Sequence, residues 1–356
     1  MSNVDLIQLV KEKVQSLKAY HVENIDCEIK LHANENSFPP PSEILKQFEE
    51  VFKSTELNRY PDPDCGPLKQ TLAKRLNVAP ENLAIGNGSD ELIQILLQVF
   101  CDSGETIGFP DPTFAMYAII AQGMGLKSQT HPLDDQWDFK AEPFLETMEA
   151  SQARIAFLSY PNNPTGNCFS APEVQKVIEN FSGIVVLDEA YHDFSGKSFL
   201  SELPKHNNLV LLRSLSKIGL AALRVGYAVA DPIIIDQIDK IRLPYNSNTL
   251  SQKLTDRLLN HFAPVQKQLD TILTERDRMI RELSKFKPLK VFPSDANFVF
   301  FRVEQDSGAI FKQLMESGIL IRYLSSHPRL KNCLRVTIGT PGENKAFLEK
   351  MTHIIK

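Results

Sequence analysis

The chain has 356 residues, with 39 Lys and Arg against 44 Asp and Glu, a net charge of -5. That balance argues against a general nucleic-acid binder, which carries a basic stripe, and leaves room for local basic pockets that hold small anions. The length accommodates two units, and a hydrophobic fraction of 42% is ordinary for a soluble globular protein.

The N-terminal stretch "MSNVDLIQLVKEKVQSLKAY" reads as a short amphipathic helix, too charged for the apolar core of a secretory signal. A Pro-rich connector follows, "NSFPPPSE". Helical periodicity then marks "SEILKQFEEVF" and "LKQTLAKRL". "LAIG" is a short strand, and "SDELIQILLQVF" a helix with Leu92, Ile93, Leu96, Leu97 and Phe100 on one face. "ETIGF", "RIAFLSY", "GIVVLD", "NLVLLRS" and "VGYAVA" read as strands. The last four are near-continuous apolar runs, the pattern of parallel strands buried on both faces. Past Pro244 come two long helical stretches, then "NFVFFRV", the helix "SGAIFKQLMESG", "ILIRYL" and "CLRVTIGT". The pattern predicts an α/β fold: a large, doubly wound, mainly parallel sheet unit over 44–245, and a smaller α+β unit over 246–356 joined by an N-terminal arm, 1–43.

Five scattered cysteines (Cys27, Cys65, Cys101, Cys168 and Cys333) suggest neither a disulfide framework nor a zinc site, so a reduced, cytoplasmic setting is expected. No apolar run reaches the ~18 to 20 residues of a membrane span. No histidine spacing suggests a metal.

Ligands of α/β sheets lie beyond the carboxyl ends of the strands. After "LAIG", Gly88, Ser89 and Asp90 open a helix whose free N–H groups suit a phosphate; an ordinary capped turn explains them equally well. After "RIAFLSY", Asn163 stands before Pro164 in "PNNPTGN", biased away from helical geometry, with its amide free for a ligand. After "GIVVLD", Asp188 ends an apolar strand, where an unpaired carboxylate is costly and a cation is expected to meet it. A helix N-cap is the other explanation. Tyr191 follows three residues later. After "NLVLLRS" come Ser214, Ser216, Lys217 and Arg224. A lysine partly desolvated at such a junction keeps more free amine for Schiff-base chemistry, and Ser hydroxyls with an Arg fork suit a phosphate. Each feature alone has a structural explanation. Together they describe one ligand with a phosphate, a cationic ring nitrogen, a ring oxygen and an aldehyde, namely pyridoxal 5'-phosphate.

At this point the sequence resembles the fold-type I aminotransferases, and among them the histidinol-phosphate aminotransferases. The residues that carry the resemblance are "LHANENSF", "NRYPDPDCGPLKQTLAKRL", "GNGSDELIQ", "FPDPTFAMY", "YPNNPTG", "VVLDEAYHDF", "RSLSKIGLAALRVGY" and "CLRVTIGT". The resemblance implies that Lys217 is the Schiff-base lysine and proton shuttle, that Asp188 pairs with the ring nitrogen, and that Asn163 and Tyr191 contact the ring oxygen. It places Phe114 against the cofactor face. It has Tyr60 reach the cofactor phosphate of a neighbouring subunit, hence a homodimer with shared sites. Arg322 and Arg335 become anion clamps for substrate, with Tyr20 and Asn34 near the substrate and His32 close by. The implied reaction interconverts histidinol phosphate and 2-oxoglutarate with imidazole acetol phosphate and glutamate, a step of histidine biosynthesis that passes through pyridoxamine phosphate. An aromatic amino-acid aminotransferase, an amino-acid-phosphate decarboxylase and, more distantly, a non-catalytic cofactor-binding module are the other readings. One departure stands out: Arg224 lies seven residues after Lys217, where many aminotransferases have eight.

Overall fold

The alternation of apolar runs resolves into twelve strands in the computed structural model of the protein, which describes residues 6–17 and 25–355. They are β1 (Ile29–Leu31), β2 (Leu83–Asn87), β3 (Thr106–Asp111), β4 (Lys127–Pro132), β5 (Ala153–Ser159), β6 (Ile184–Asp188), β7 (Leu209–Ser214), β8 (Val225–Ala230), β9 (Leu289–Val291), β10 (Phe298–Val303), β11 (Ile319–Tyr323) and β12 (Cys333–Thr337).

Seven strands form one sheet in the order β2-β8-β7-β6-β5-β3-β4. The neighbours from β7 through β4 are parallel. Every residue of β7 is buried, because the strand is covered on both faces. Leu209 and Leu211 enter one core and Val210 and Leu212 the other. The Ser89–Phe100, Met116–Met124 and Pro232–Ile241 helices cover the second face, and the Ala141–Ala150 and Ala171–Asn180 helices the first. This is the expected doubly wound sheet.

One strand departs from expectation. β8, the "VGYAVA" run, is antiparallel to both β2 and β7. An apolar run reports burial on both faces and says nothing about direction. Direction is set by the connection: residues 215–224 are too few for a crossover helix, so the chain turns back. β4, "KSQTHP", lies at the sheet edge, mostly exposed, and carries none of the apolar signal of a buried strand.

The second sheet has the order β1-β11-β12-β10-β9. β1 runs parallel to β11 and the other pairings are antiparallel. The Ala263–Leu283, Ser307–Glu316 and Pro341–Ile354 helices supply buried residues to its core. Helix Thr249–Asn260 packs on helices Ser42–Lys53 and Gly66–Leu76. Among the described residues no helix is long and apolar enough to cross a membrane, and no group of three or more His, Cys, Asp and Glu is arranged to hold a metal.

Parallel strands deliver their carboxyl ends to one edge of the large sheet. That edge faces β11 and β12, and a cavity of about 790 Å³ lies between them.

Candidate active site

The end of β6 places Asp188 at the floor of the cavity, 4% exposed. Its Oδ2 accepts a hydrogen bond from the Tyr117 hydroxyl at 2.7 Å, and its Oδ1 accepts from the Ala190 N–H at 3.1 Å. Among the described residues no cation forms an ion pair with it, so the expected cation is not supplied by a neighbouring side chain. Burial pushes its carboxyl up to about 6, against the two hydrogen bonds and the more distant Lys217, which pull it down. Tyr117 escapes a sequence reading because its partner lies 71 residues away; its only signal is its place three residues beyond Phe114.

The loop after β5 brings Asn163 into the same cavity. Its side-chain oxygen accepts from the Arg335 guanidinium, while its amide NH₂ makes no hydrogen bond among the described residues. Tyr191, beyond β6, accepts at its hydroxyl from Asn34 Nδ2 at 2.9 Å, which leaves its own proton to donate. Asn34 is itself buried, and its Oδ1 accepts from the Thr337 hydroxyl at 3.1 Å. Its side chain therefore orients Tyr191.

Lys217 lies on the 3-10 turn Ser216–Ile218 just after β7 and donates from Nζ to the Ala33 carbonyl at 3.3 Å. Its amine stands 5.9 Å from the centre of the Tyr191 ring. Two 3-10 turns and Gly219, at φ 113°, reverse the chain. Arg224, in a left-handed conformation (φ 54°), then leads directly into β8. Because β8 is antiparallel, this residue returns to the very edge that β7 has just left, with Gly226 paired to Ser214 and Gly86. The seven-residue spacing is thus absorbed by the turns, with no helix to rotate. Arg224 reaches Ser216 Oγ at 3.4 Å and Asp90 at 3.7 Å.

A Cβ at Gly88 (φ 87°) would stand 2.6 Å from the Arg224 guanidinium. The Ser89–Phe100 helix starts at Gly88 without a side-chain cap, and Ser89 and Asp90 of its first turn line the cavity with Arg224, Ser214 and Ser216. Gly226 makes the approach possible: a Cβ there would sit 2.4 Å from the Ser89 nitrogen and 2.5 Å from the Gly88 carbon. Gly226→Ala is expected to force these backbones apart, with a loss of stability of about 1–3 kcal/mol in urea unfolding.

Phe114 follows β3 and lines the cavity, its ring edge-on to Tyr117 at 5.5 Å. Across the cavity Arg322 and Arg335 face each other in register on β11 and β12. Tyr60 does not line this cavity; it is 81% exposed and stacks on Tyr245 at 4.7 Å. Tyr20 lies outside the described residues. The structure also brings in a group with no sequence signal: His327 meets the Asp111 carboxylate at 3.0 Å, and Arg329 donates to the Asp111 carbonyl at 2.6 Å, tying the β11–β12 connection to the end of β3.

The family model for aminotransferase class I and II matches residues 27–351. The histidinol-phosphate aminotransferase of Caldanaerobacter subterraneus subsp. tengcongensis is 36% identical over 348 residues, covering 98% of this chain and 99% of that one. The chain belongs to the histidinol-phosphate aminotransferase family of class I and II aminotransferases. The solved histidinol-phosphate aminotransferase from Sinorhizobium meliloti, in complex with pyridoxal-5'-phosphate, superposes with a TM-score of 0.89 at 25% identity, covering 97% of each chain. The L-threonine-O-3-phosphate decarboxylase of Porphyromonas gingivalis shares the fold, with a TM-score of 0.80 at 22% identity, covering 92% of this chain and 99% of that one.

The cavity of this aminotransferase fits pyridoxal phosphate on its own chemistry. A buried carboxylate without a cation partner, Asp188, matches a cationic ring nitrogen. Two donors, the Asn163 amide and the Tyr191 hydroxyl, match a ring oxygen. An uncapped helix start with Arg224 and two serines matches a phosphate, and Lys217 stands between these groups as the only lysine lining the cavity among the described residues.

Proposed function

We propose that the protein transfers an amino group between histidinol phosphate and 2-oxoglutarate, giving imidazole acetol phosphate and glutamate, as a step of histidine biosynthesis. The observation that carries this reading is that Lys217 and Asp188 line one cavity together with the Arg322–Arg335 pair. When bound, pyridoxal phosphate supplies an electron sink for the pair left at the substrate α-carbon. Asp188 holds the proton on the ring nitrogen through a buried ion pair. Asn163 and Tyr191 fix the ring's tilt by donating to its oxygen. Gly88, Ser89, Asp90, Ser214, Ser216 and Arg224 anchor the phosphate, and Phe114 packs on the ring face. Lys217 would hold the cofactor through its amine and, as a free amine, would move the proton at the substrate α-carbon. Arg322 and Arg335 take the substrate anion, whether phosphate or carboxylate, with the planar fork that suits both.

The exposed Tyr60–Tyr245 stack and the neighbouring exposed Leu57 and Leu243 support a homodimer in which Tyr60 serves the other subunit's site. Two units, 44–245 and 246–356 with the arm 1–43, then flank the shared cleft. Five free thiols support a cytoplasmic setting.

The test is to incubate the purified holoenzyme with histidinol phosphate and 2-oxoglutarate and to follow glutamate. Glutamate formation at a higher kcat/KM than with phenylalanine as donor is expected. Preference for phenylalanine overturns the substrate assignment in favour of an aromatic aminotransferase, and carbon dioxide release from threonine phosphate without glutamate formation overturns the reaction type.

A further inference from the structure

Tyr117 lies in the first turn of the Met116–Met124 helix and is fully buried. It is not among the described residues that line the cavity, so it acts on a bound molecule only through what it touches. Three rings hold it in place. Phe157 of β5 stacks on it at 4.7 Å, Phe109 of β3 lies tilted at 6.0 Å, and Phe114 stands edge-on at 5.5 Å. Its hydroxyl is thereby aimed at Asp188 Oδ2, 2.7 Å away. Burial and the adjoining carboxylate raise this hydroxyl well above its ordinary value, so it keeps its proton and donates.

Tyr117 is the one side chain among the described residues that donates to Asp188; the other hydrogen bond comes from the Ala190 N–H to Oδ1. Asp90 and Lys217 act on the carboxyl at longer range and with opposite signs. An ionised carboxylate has about four acceptor positions, so two are taken and the rest are left for a ligand in the cavity.

Asp188 and the ring nitrogen of pyridoxal phosphate share one proton. It rests either on the nitrogen, beside a carboxylate, or on the carboxyl, beside a neutral ring. Burial favours the neutral arrangement. A hydrogen bond donated to a charged oxygen is roughly twice as strong as one between neutral groups, so the Tyr117 hydroxyl favours the charged arrangement. Without that hydroxyl, Oδ2 is a buried charge with no donor. The proton then crosses from the ring nitrogen to Asp188, and the total charge of the site does not change. A neutral ring is the weaker electron sink.

We propose that Tyr117 is a positioning residue for the transfer reaction: by donating to Asp188 Oδ2 it keeps the shared proton on the ring nitrogen of the cofactor. This inference rests on the assignment of Asp188 to that nitrogen.

The test is nuclear magnetic resonance of the holoenzyme reconstituted with pyridoxal phosphate labelled with nitrogen-15 in the ring, near neutral pH. Protonated and neutral ring nitrogens resonate far apart. The wild type is expected at the protonated position, and Tyr117→Phe displaced towards the neutral one. The phenylalanine keeps the three ring contacts and removes only the hydroxyl, and loss of packing alone does not move this resonance. In steady-state assays the same variant is expected to lower kcat by about 10-fold or more, the weight of a hydrogen bond to a charged group, with little change in KM. A neutral ring nitrogen in the wild type overturns the proposal, and so does a Tyr117→Phe resonance at the wild-type position. The first outcome is read on the wild type alone, so it decides even if the variant does not fold. Asp188→Asn separates the two readings. A neutral nitrogen in that variant with Tyr117→Phe unmoved removes Tyr117 and leaves Asp188 in its role, whereas a protonated nitrogen in Asp188→Asn overturns the assignment of Asp188 and the role of Tyr117 with it.

Discussion

Lys217→Ala is expected to abolish turnover, lowering kcat with histidinol phosphate and 2-oxoglutarate by at least about 10⁴-fold, the upper range for loss of a positioned proton-transfer group. That corresponds to about 5.5 kcal/mol of transition-state stabilisation. No second lysine lines the cavity among the described residues to take over. The phosphate cradle of Gly88, Ser214, Ser216 and Arg224 and the carboxylate of Asp188 are untouched by the change, so the variant should still bind pyridoxal phosphate while losing the reaction. Lys217→Arg separates charge from chemistry. It keeps a long basic side chain at the end of β7, but a guanidinium is always charged and cannot serve as a nucleophilic amine or proton carrier, so it is expected to be as inactive as the alanine variant. A glutamate-formation rate in either variant within a few-fold of wild type would remove Lys217 from the reaction.

The place of Lys217 in the cavity was legible because its signal is local. A polar or charged residue directly after an apolar strand is visible in a single window, and Asp188, Asn163 and the Ser214–Lys217 group all sit in that position. The same logic fails where the determinant is a distant pairing. Tyr117 supplies the stronger of the two hydrogen bonds to Asp188, yet nothing within its own helix distinguishes it from a core aromatic, and it is also stacked at 4.7 Å on Phe157 as one would be. The direction of β8 was hidden for a different reason. Burial on both faces writes the same apolar run whether a strand is parallel or antiparallel, and the short connection from Ser214 to Val225 is the informative feature. That direction is what lets Arg224 meet Ser216 and Asp90 despite its early place in the chain. Asn34 lines the cavity as expected, and its side chain also bonds Tyr191 and Thr337, contacts that no local window encodes. The tie between His327, Arg329 and Asp111 joins residues more than 200 positions apart, and no periodicity encodes it.

Asp188→Asn is expected to lower kcat on the order of 10³-fold, the scale on which a preorganised electrostatic partner acts, because an amide cannot hold a proton on the ring nitrogen. Its effect on the cofactor-free protein runs the other way. The Asp188 carboxyl is raised by burial from 3.8 to about 6 in the folded state. The folded protein therefore binds this proton more tightly than the unfolded chain does. Below about pH 4 both states are protonated and the group costs nothing. As pH rises from about 4 to 6 the unfolded chain ionises first, and folding stability falls by about 3 kcal/mol through this one residue. Above pH 6 the full cost persists until a cation reaches the carboxylate. Urea unfolding of the cofactor-free wild type and Asp188→Asn across pH 4 to 7 should show the variant gaining on the wild type by about this amount. Added pyridoxal phosphate should close the gap by stabilising the wild type more. A stability difference independent of pH between 4 and 7 would show that Asp188 is already compensated within the chain, and its pairing with the ring nitrogen would then lose its energetic basis.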